Sequence, residues 1–103
     1  MKFVLFFDTL DQEGAVEKVK EIKNMAEEAE KLGLKLTKAL SPPYIYAGGK
    51  GGFQILEAEN VEQLMALSHY YADTSDFTFV PILDMEEVLR LHELTEKAFK
   101  SSD

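Results

Sequence analysis

Four glycines surround one lysine in YIYAGGKGGFQ, residues 44–54. Glycine-flanked amides beside a lysine can cradle a phosphate, or they can turn a chain between two strands. A Walker-type loop needs G-x-x-x-x-G-K-[ST] between a strand and a helix. Here Lys50 is followed by Gly51, and the loop runs on into GFQILEA, an apolar stretch with the look of a strand. The dinucleotide fingerprint also requires a following helix, whose N-terminus faces the phosphates. The context therefore selects a β-hairpin, in which glycine supplies positive φ. What remains of an anion site is Lys50 itself, at an exposed tip.

A second group that could do chemistry is SHYYAD, residues 68–73. Histidine titrates near neutrality and tyrosine can orient a substrate, so His69, Tyr70, Tyr71 and Asp73 could form an acid–base cluster. On a helical wheel, however, Tyr71 borders the stripe of Val61, Leu64, Met65 and Ser68. His69 lies on the opposite border, and Tyr70 points outward. One pocket cannot hold all three. His92 shares a helical face with Met85, Val88, Leu89, Thr95 and Phe99; packing explains such a position more simply than haem ligation does. Two histidines without suitably spaced carboxylates make no zinc site, and neither a metal nor a cofactor is expected. Tyr44 and Tyr46 alternate with Ile45, which puts both rings on one side of a strand. They could line the mouth of a cavity or cap the edge of the core. Glu57 shares a strand face with Phe53 and Ile55. On a buried face it would need a partner or a ligand, and its pKa would rise; at a strand end it would simply be exposed. Asp84 stands just before a helix, where an N-cap explains it better than a catalytic base. Tyr44, Tyr46, Glu57 and His69 are thus the candidate ligand-binding residues.

Composition narrows the partners. The chain has no cysteine, which removes disulfides, thiolate metal sites and thiol nucleophiles. Its formal charge is −8. Nucleic acid and anionic membranes both call for a basic footprint. The lysines of residues 18–38 alternate with glutamates, as on a solvated helix face with local ion pairs. Neither nucleic acid nor membrane is an expected partner. The N-terminal MKFVLFFD is too short for a signal sequence or a bilayer span, so a cytoplasmic location is expected.

The elements that must position these residues follow from periodicity. KFVLFF (2–7) reads as a strand. Val16, Val19, Ile22, Ala26, Ala29 and Leu32 make a helical stripe, preceded by Thr9 or Asp11 as a cap and ended by Gly33. Residues 34–40 and 44–47 are extended and interrupted by Ser41-Pro42-Pro43. GFQILEA (52–58) is a third strand. Asn60 and Gln63 open a second helix, and DFTFVPIL (76–83) is a fourth strand. Asp84 and Glu87 open a last helix that runs to about Lys100. The order β-α-β-β-α-β plus a C-terminal helix predicts an α+β, ferredoxin-like single domain over 1–100, with a disordered tail at 101–103. In that arrangement the first and third strands are central. Both lack proline, whereas Pro42, Pro43 and Pro81 fall on the expected edges.

GGFQILEAENVEQLMALSHYYAD and FTFVPILDMEE resemble a family of small proteins of unknown function in the dimeric α/β-barrel superfamily. The likeness rests on a glycine-led strand, a Glu-Ala-Glu exit into a helix and a final strand ending V-P-x-L-D. It covers about half of the chain. The superfamily includes cofactor-independent monooxygenases, muconolactone isomerase-like enzymes and haem-binding members, and the resemblance carries over no catalytic residue. A dimer is also expected from the residues themselves. The first and fourth strands are apolar at both alternating phases, and a sheet so built needs cover on both faces. The leading expectation is a homodimeric barrel that binds a small, mainly apolar molecule. An enzyme of the monooxygenase or isomerase kind and an assembly module without ligand are the alternatives.

Overall fold

Aromatic and β-branched residues at both phases make the N-terminal run the centre of an antiparallel sheet. The computed structural model describes residues 1–101; the tail expected at 101–103 lies outside them, apart from the backbone of Ser101. The elements in chain order are β1 (Lys2–Thr9), α1 (Gln12–Lys31), β2 (Lys38–Ala39), β3 (Tyr44–Ile45), β4 (Gly51–Glu57), α2 (Val61–Tyr71), β5 (Ser75–Ile82) and α3 (Met85–Ser101). The fold is mixed α+β, with five strands in one sheet and three helices. The sheet runs β2-β4-β1-β5, and β3 also pairs with β4. β4 and β1 are thus central and contain no proline. Pro81 sits in the edge strand β5, and Pro42-Pro43 separate β2 from β3 on the other edge.

The extended segment expected over 34–40 and 44–47 shrinks to two strands of two residues each. Two local causes account for this. Leu34 is used to end α1: its N–H bonds the carbonyl of Ala29 at 2.9 Å and that of Gly33 bonds Glu30 at 3.0 Å, a Schellman motif with Gly33 at φ 86°. Further on, Pro42 and Pro43 have no N–H for the ladder. Ser41, just before them, makes the last contacts to β4. Its N–H donates to the Ile55 carbonyl at 3.3 Å, its hydroxyl accepts the N–H of Ile55 at 2.9 Å, and its carbonyl accepts Gln54 Nε2 at 3.0 Å.

Register assigns the two faces of the sheet. Phe3 lies opposite Leu56 and Pro81, Leu5 opposite Gln54 and Phe79, and Phe7 opposite Gly52 and Phe77. This face carries the helices. Phe3, Leu5, Leu56 and Ala58 are buried with Leu64, Leu67 and Tyr71 of α2, and Ile22 of α1 packs on the same cluster. Each fully buried leucine there contributes about 1.5–3 kcal/mol. Asn60 caps α2 by accepting the N–H of Gln63 at 3.0 Å, and Asp11 caps α1 by accepting that of Gly14 at 3.2 Å.

α1 packs on only part of the stripe that its apolar residues predict. Ile22, Ala26 and Ala29 are half-buried, together with Ala15, Lys18 and Met25, whereas Val16 and Val19 are exposed and Leu32 is 86% exposed. A lock between α1 and α2 holds this orientation. Lys18 Nζ donates to the Tyr70 carbonyl at 2.6 Å and pairs with Asp73 at 2.9 Å, while the Tyr70 hydroxyl donates to the Lys18 carbonyl at 2.9 Å.

α3 stands apart from this core. Every side chain described in it is exposed except that of Glu87, which is half-buried. The molecule measures 59 × 37 × 19 Å, and its radius of gyration is 17.4 Å. A compact chain of this length would have about 13 Å.

Candidate functional site

The face of the sheet away from α1 and α2 carries two of the candidate residues, Tyr44 and Glu57. Val4 lies opposite Ile55 and Val80, and Phe6 opposite Phe53 and Thr78. Phe6, on the central strand β1, and Val80, on the edge strand β5, are 41% and 40% exposed. The Phe6 and Phe53 rings are 6.4 Å apart, and the Tyr44 ring stacks on Phe53 at 5.2 Å. Tyr44 is the register partner of Phe53 and so belongs to this face. Tyr46, two residues on and just past β3, extends the pairing by donating its N–H to the Gly51 carbonyl at 2.8 Å. Glu57 completes the group at the last position of β4, between its register partners Lys2 and Lys38. It is exposed, which removes the reading of a buried, unpaired carboxylate in the single chain.

His69 does not join them. It lies exposed on α2, which packs on the opposite face through Leu64, Leu67 and Tyr71. The structure thus puts Tyr44 and Glu57 on one face of the sheet, four residues apart along β4, and leaves His69 on the other layer. Register also divides the phenylalanines. Strand phase alone groups Phe53 with Phe3, Leu5, Phe7, Phe77 and Phe79 as the lining of a space between two sheets. Register instead puts only Phe53 on the bare face, opposite Phe6, and the other five on the helix-covered one. Val4, Phe6, Ile55 and Val80 belong to the face as much as the named candidates do. For Val4, Phe6 and Val80 the signal in the sequence is the second apolar phase of β1 and β5; for Ile55 it is the strand face shared with Phe53 and Glu57.

Within SHYYAD, Tyr70 and Asp73 lock α2 to Lys18 of α1, while His69 is exposed and outside the lock. Tyr70, read from the wheel as pointing outward, is half-buried because α1 covers that side of α2. Its ring lies 4.9 Å from that of Tyr71 in a T-shaped contact, and the Lys18 ammonium sits 4.9 Å above it. Burial pushes the Tyr71 phenol up to about 12, with Tyr70 a smaller cause. The hydrogen bond from Lys18 holds Asp73 below its ordinary range.

The four glycines serve the hairpin. Gly49 takes φ 77° in the turn, where its N–H bonds the Tyr46 carbonyl at 2.8 Å. A side chain on Gly51 would strike the Phe7 carbonyl, and one on Gly52 would strike that of Tyr44. Those two positions therefore let three strands approach. The Lys50 carbonyl accepts the Thr9 N–H at 2.9 Å, while the side chain stays at the exposed tip.

Asp84 and Glu87 form a reciprocal capping box at the start of α3. The N–H of Glu87 bonds Asp84 Oδ1 at 2.8 Å, and that of Asp84 bonds Glu87 Oε1 at 3.3 Å. Lys2 Nζ joins both carboxylates, at 3.1 and 3.5 Å. The Glu87 N–H, then Lys2, lowers the Asp84 carboxyl to about 2, and the hydrogen bond to Asp84 raises Lys2. His92 is exposed on α3, its Nε2 3.4 Å from Glu96 Oε1.

Two open clefts lie along α1. One is at its first turn, between Asp11 and Glu17; the other runs from Glu21 to Glu28 beside Tyr70. Neither includes a candidate residue. Among the described residues no three His, Asp or Glu side chains gather as a metal site, and no helix is long and apolar enough to cross a membrane.

The profile of the family described as "Domain of unknown function (DUF3303)" matches residues 1–95. The chain belongs to this family. The match takes in the whole sheet, both packed helices and α3 as far as Thr95, so the bare sheet face and the start of α3 are parts of the family domain. No curated protein and no solved structure matches the chain.

Proposed function

We propose that the chain is one subunit of a homodimeric, ferredoxin-like α/β barrel that binds a small, mainly apolar molecule between its two sheets. The observation that carries this reading is the bare apolar face of Val4, Phe6, Phe53, Ile55 and Val80. Two features support it further. With β2 and β3 taken as one edge strand interrupted by prolines, the element order becomes β-α-β-β-α-β with its first and third strands central. The surface area also speaks for a partner chain. It is 7799 Å², against about 5,900 Å² for a compact chain of this mass. The excess from two chains, about 3,800 Å², is the scale of an obligate homodimer interface.

Tyr44, with Tyr46 just past its strand, and Glu57 stand toward one side and one end of the face, where a few polar groups can orient an apolar ligand. His69 lies on the other layer, so the polar groups of the candidate set at this face are phenols and one carboxylate.

Sedimentation at micromolar concentration tests the dimer. The expected mass is twice the chain's 11.7 kDa, and a clean monomer would sink the proposal. A crystal structure of the dimer then tests binding. The expected result is a continuous cavity between the sheets touched by Tyr44 and Tyr46. A solid apolar contact there would remove the ligand and leave an assembly module.

A further inference from the structure

Beyond the sheet face, the chain carries a second uncovered apolar surface on α3. Met85, Val88, Leu89, Leu91 and Leu94 are each 44–70% exposed. At 100° per residue they span roughly 220° of the helix circumference, far more than the stripe of a helix lying on one surface. An arc that wide is suited to burial between two bodies.

The chain's own core does not supply those bodies. Only Leu83 and Asp84 separate β5 from α3, and the capping box with its Lys2 clamp fixes the direction in which the helix leaves. The 19 Å thickness of the molecule is filled by the sheet and one helix layer, each about 10 Å deep, so α3 does not lie over the bare face of its own sheet. A membrane surface is a poor occupant as well. Within Met85–Ser101 four glutamates stand against Arg90, Lys97 and Lys100, whereas interfacial helices carry a cationic polar face.

We infer that α3 is an exchanged arm. In the homodimer its apolar arc packs on the partner subunit at the end of the space between the two sheets. This inference rests on the dimer reading above. It adds that each subunit's C-terminal helix closes the cavity of the assembly, so a ligand would enter or leave only as the arm moves. A two-residue tether and a 25 Å helix (17 residues at about 1.5 Å each) give the arm the reach to cross from one sheet to the other.

The test is cross-linking within mixed dimers of the full chain. One population carries Leu89→p-benzoylphenylalanine and the other is wild type labelled with nitrogen-15. Irradiation, digestion and mass spectrometry then show which chain position 89 touches. The expected product joins the light peptide containing position 89 to a heavy peptide from outside α3. Cross-links confined to the light chain, or joining α3 to heavy α3, overturn the exchange. A second measurement uses the double variant Leu89→Glu/Leu91→Glu. Its dimer Kd should rise at least about tenfold, a modest loss for an interface core, with the far-UV spectrum of the core retained. A dimer of unchanged Kd would end the exchanged arm while leaving the sheet-to-sheet dimer standing. A wild-type chain that sediments as a monomer would instead remove the dimer reading, and the arm with it. Flotation of the wild type, but not the variant, with phosphatidylserine vesicles would assign α3 to a lipid surface and overturn the inference.

Discussion

The two faces of this sheet are made from the same strands, yet they end in different environments. On one, Phe3, Leu5 and Leu56 lie under α2 and are at most 8% exposed. On the other, Phe6 and Val80 are about two-fifths exposed with no helix over them. Both faces are apolar at their centres. Alternation along a strand hands out residues to both sides equally, and here both sides receive large apolar ones, which favours cover on each. The chain has two helices for one side and sends its third away. The difference separates what holds one subunit together from what remains for another molecule to cover.

The largest expected effect breaks the covered face. Leu5→Ala opens a cavity beneath α2 and should cost about 2–5 kcal/mol in urea unfolding. Phe6→Ala removes a larger side chain from the neighbouring position in β1. It should cost the isolated subunit only about 1 kcal/mol, because much of its surface is already in water, while weakening self-association strongly. Equal losses in the two variants, measured below the dimer Kd, would erase the distinction between the faces.

A subtler probe uses pH at the covered face. Tyr71 is buried there, and its pKa is raised from 10.0 to about 12. The folded state therefore favours the neutral phenol. That stability is complete below pH 10 and is lost as pH rises through the folded value near 12. Alkaline unfolding should begin in this window, and Tyr71→Phe should flatten it. An unaltered profile in the variant would mean that another group governs the transition.

Smaller again is the effect at the root of α3. The Asp84 pKa is lowered from 3.8 to about 2, so its support for α3 is present above pH 3.8 and lost as pH falls toward 2. In the isolated subunit, measured below the dimer Kd, Asp84→Ala should reduce the helical far-UV signal slightly at neutral pH and weaken its change between pH 4 and 2, leaving the core's Tm in place. A large fall in Tm would show that α3 is coupled to the core after all. Smallest of all is Lys50→Ala. Only the carbonyl of Lys50 is engaged in the hairpin, so stability should stay within about 0.5 kcal/mol.

Much of this architecture is legible in the amino-acid sequence alone. The strand–helix order, the caps at Asp11, Asn60 and Asp84, the stop at Gly33 and the prolines at the edges are written in local patterns, because each depends on neighbours within four residues. The second apolar phase of β1 is equally visible and points to a face in need of cover. Which residues share that face depends on contacts far apart in the chain. Phe53 joined Phe6 rather than Phe3 because the ladder between β1 and β4 set the register, and a shift of one residue moves a whole strand to the other side. His69 left the candidate group because α2 packs on the opposite layer. Tyr70 turned from an outward side chain into a lock because α1 lay beside it. α3 shows the same division. Its apolar arc is plain from spacing alone, but only the three-dimensional arrangement shows that two residues and a lysine clamp carry it away from its own core. Periodicity tells which surfaces must be buried, and tertiary pairing decides which of them the chain can bury by itself.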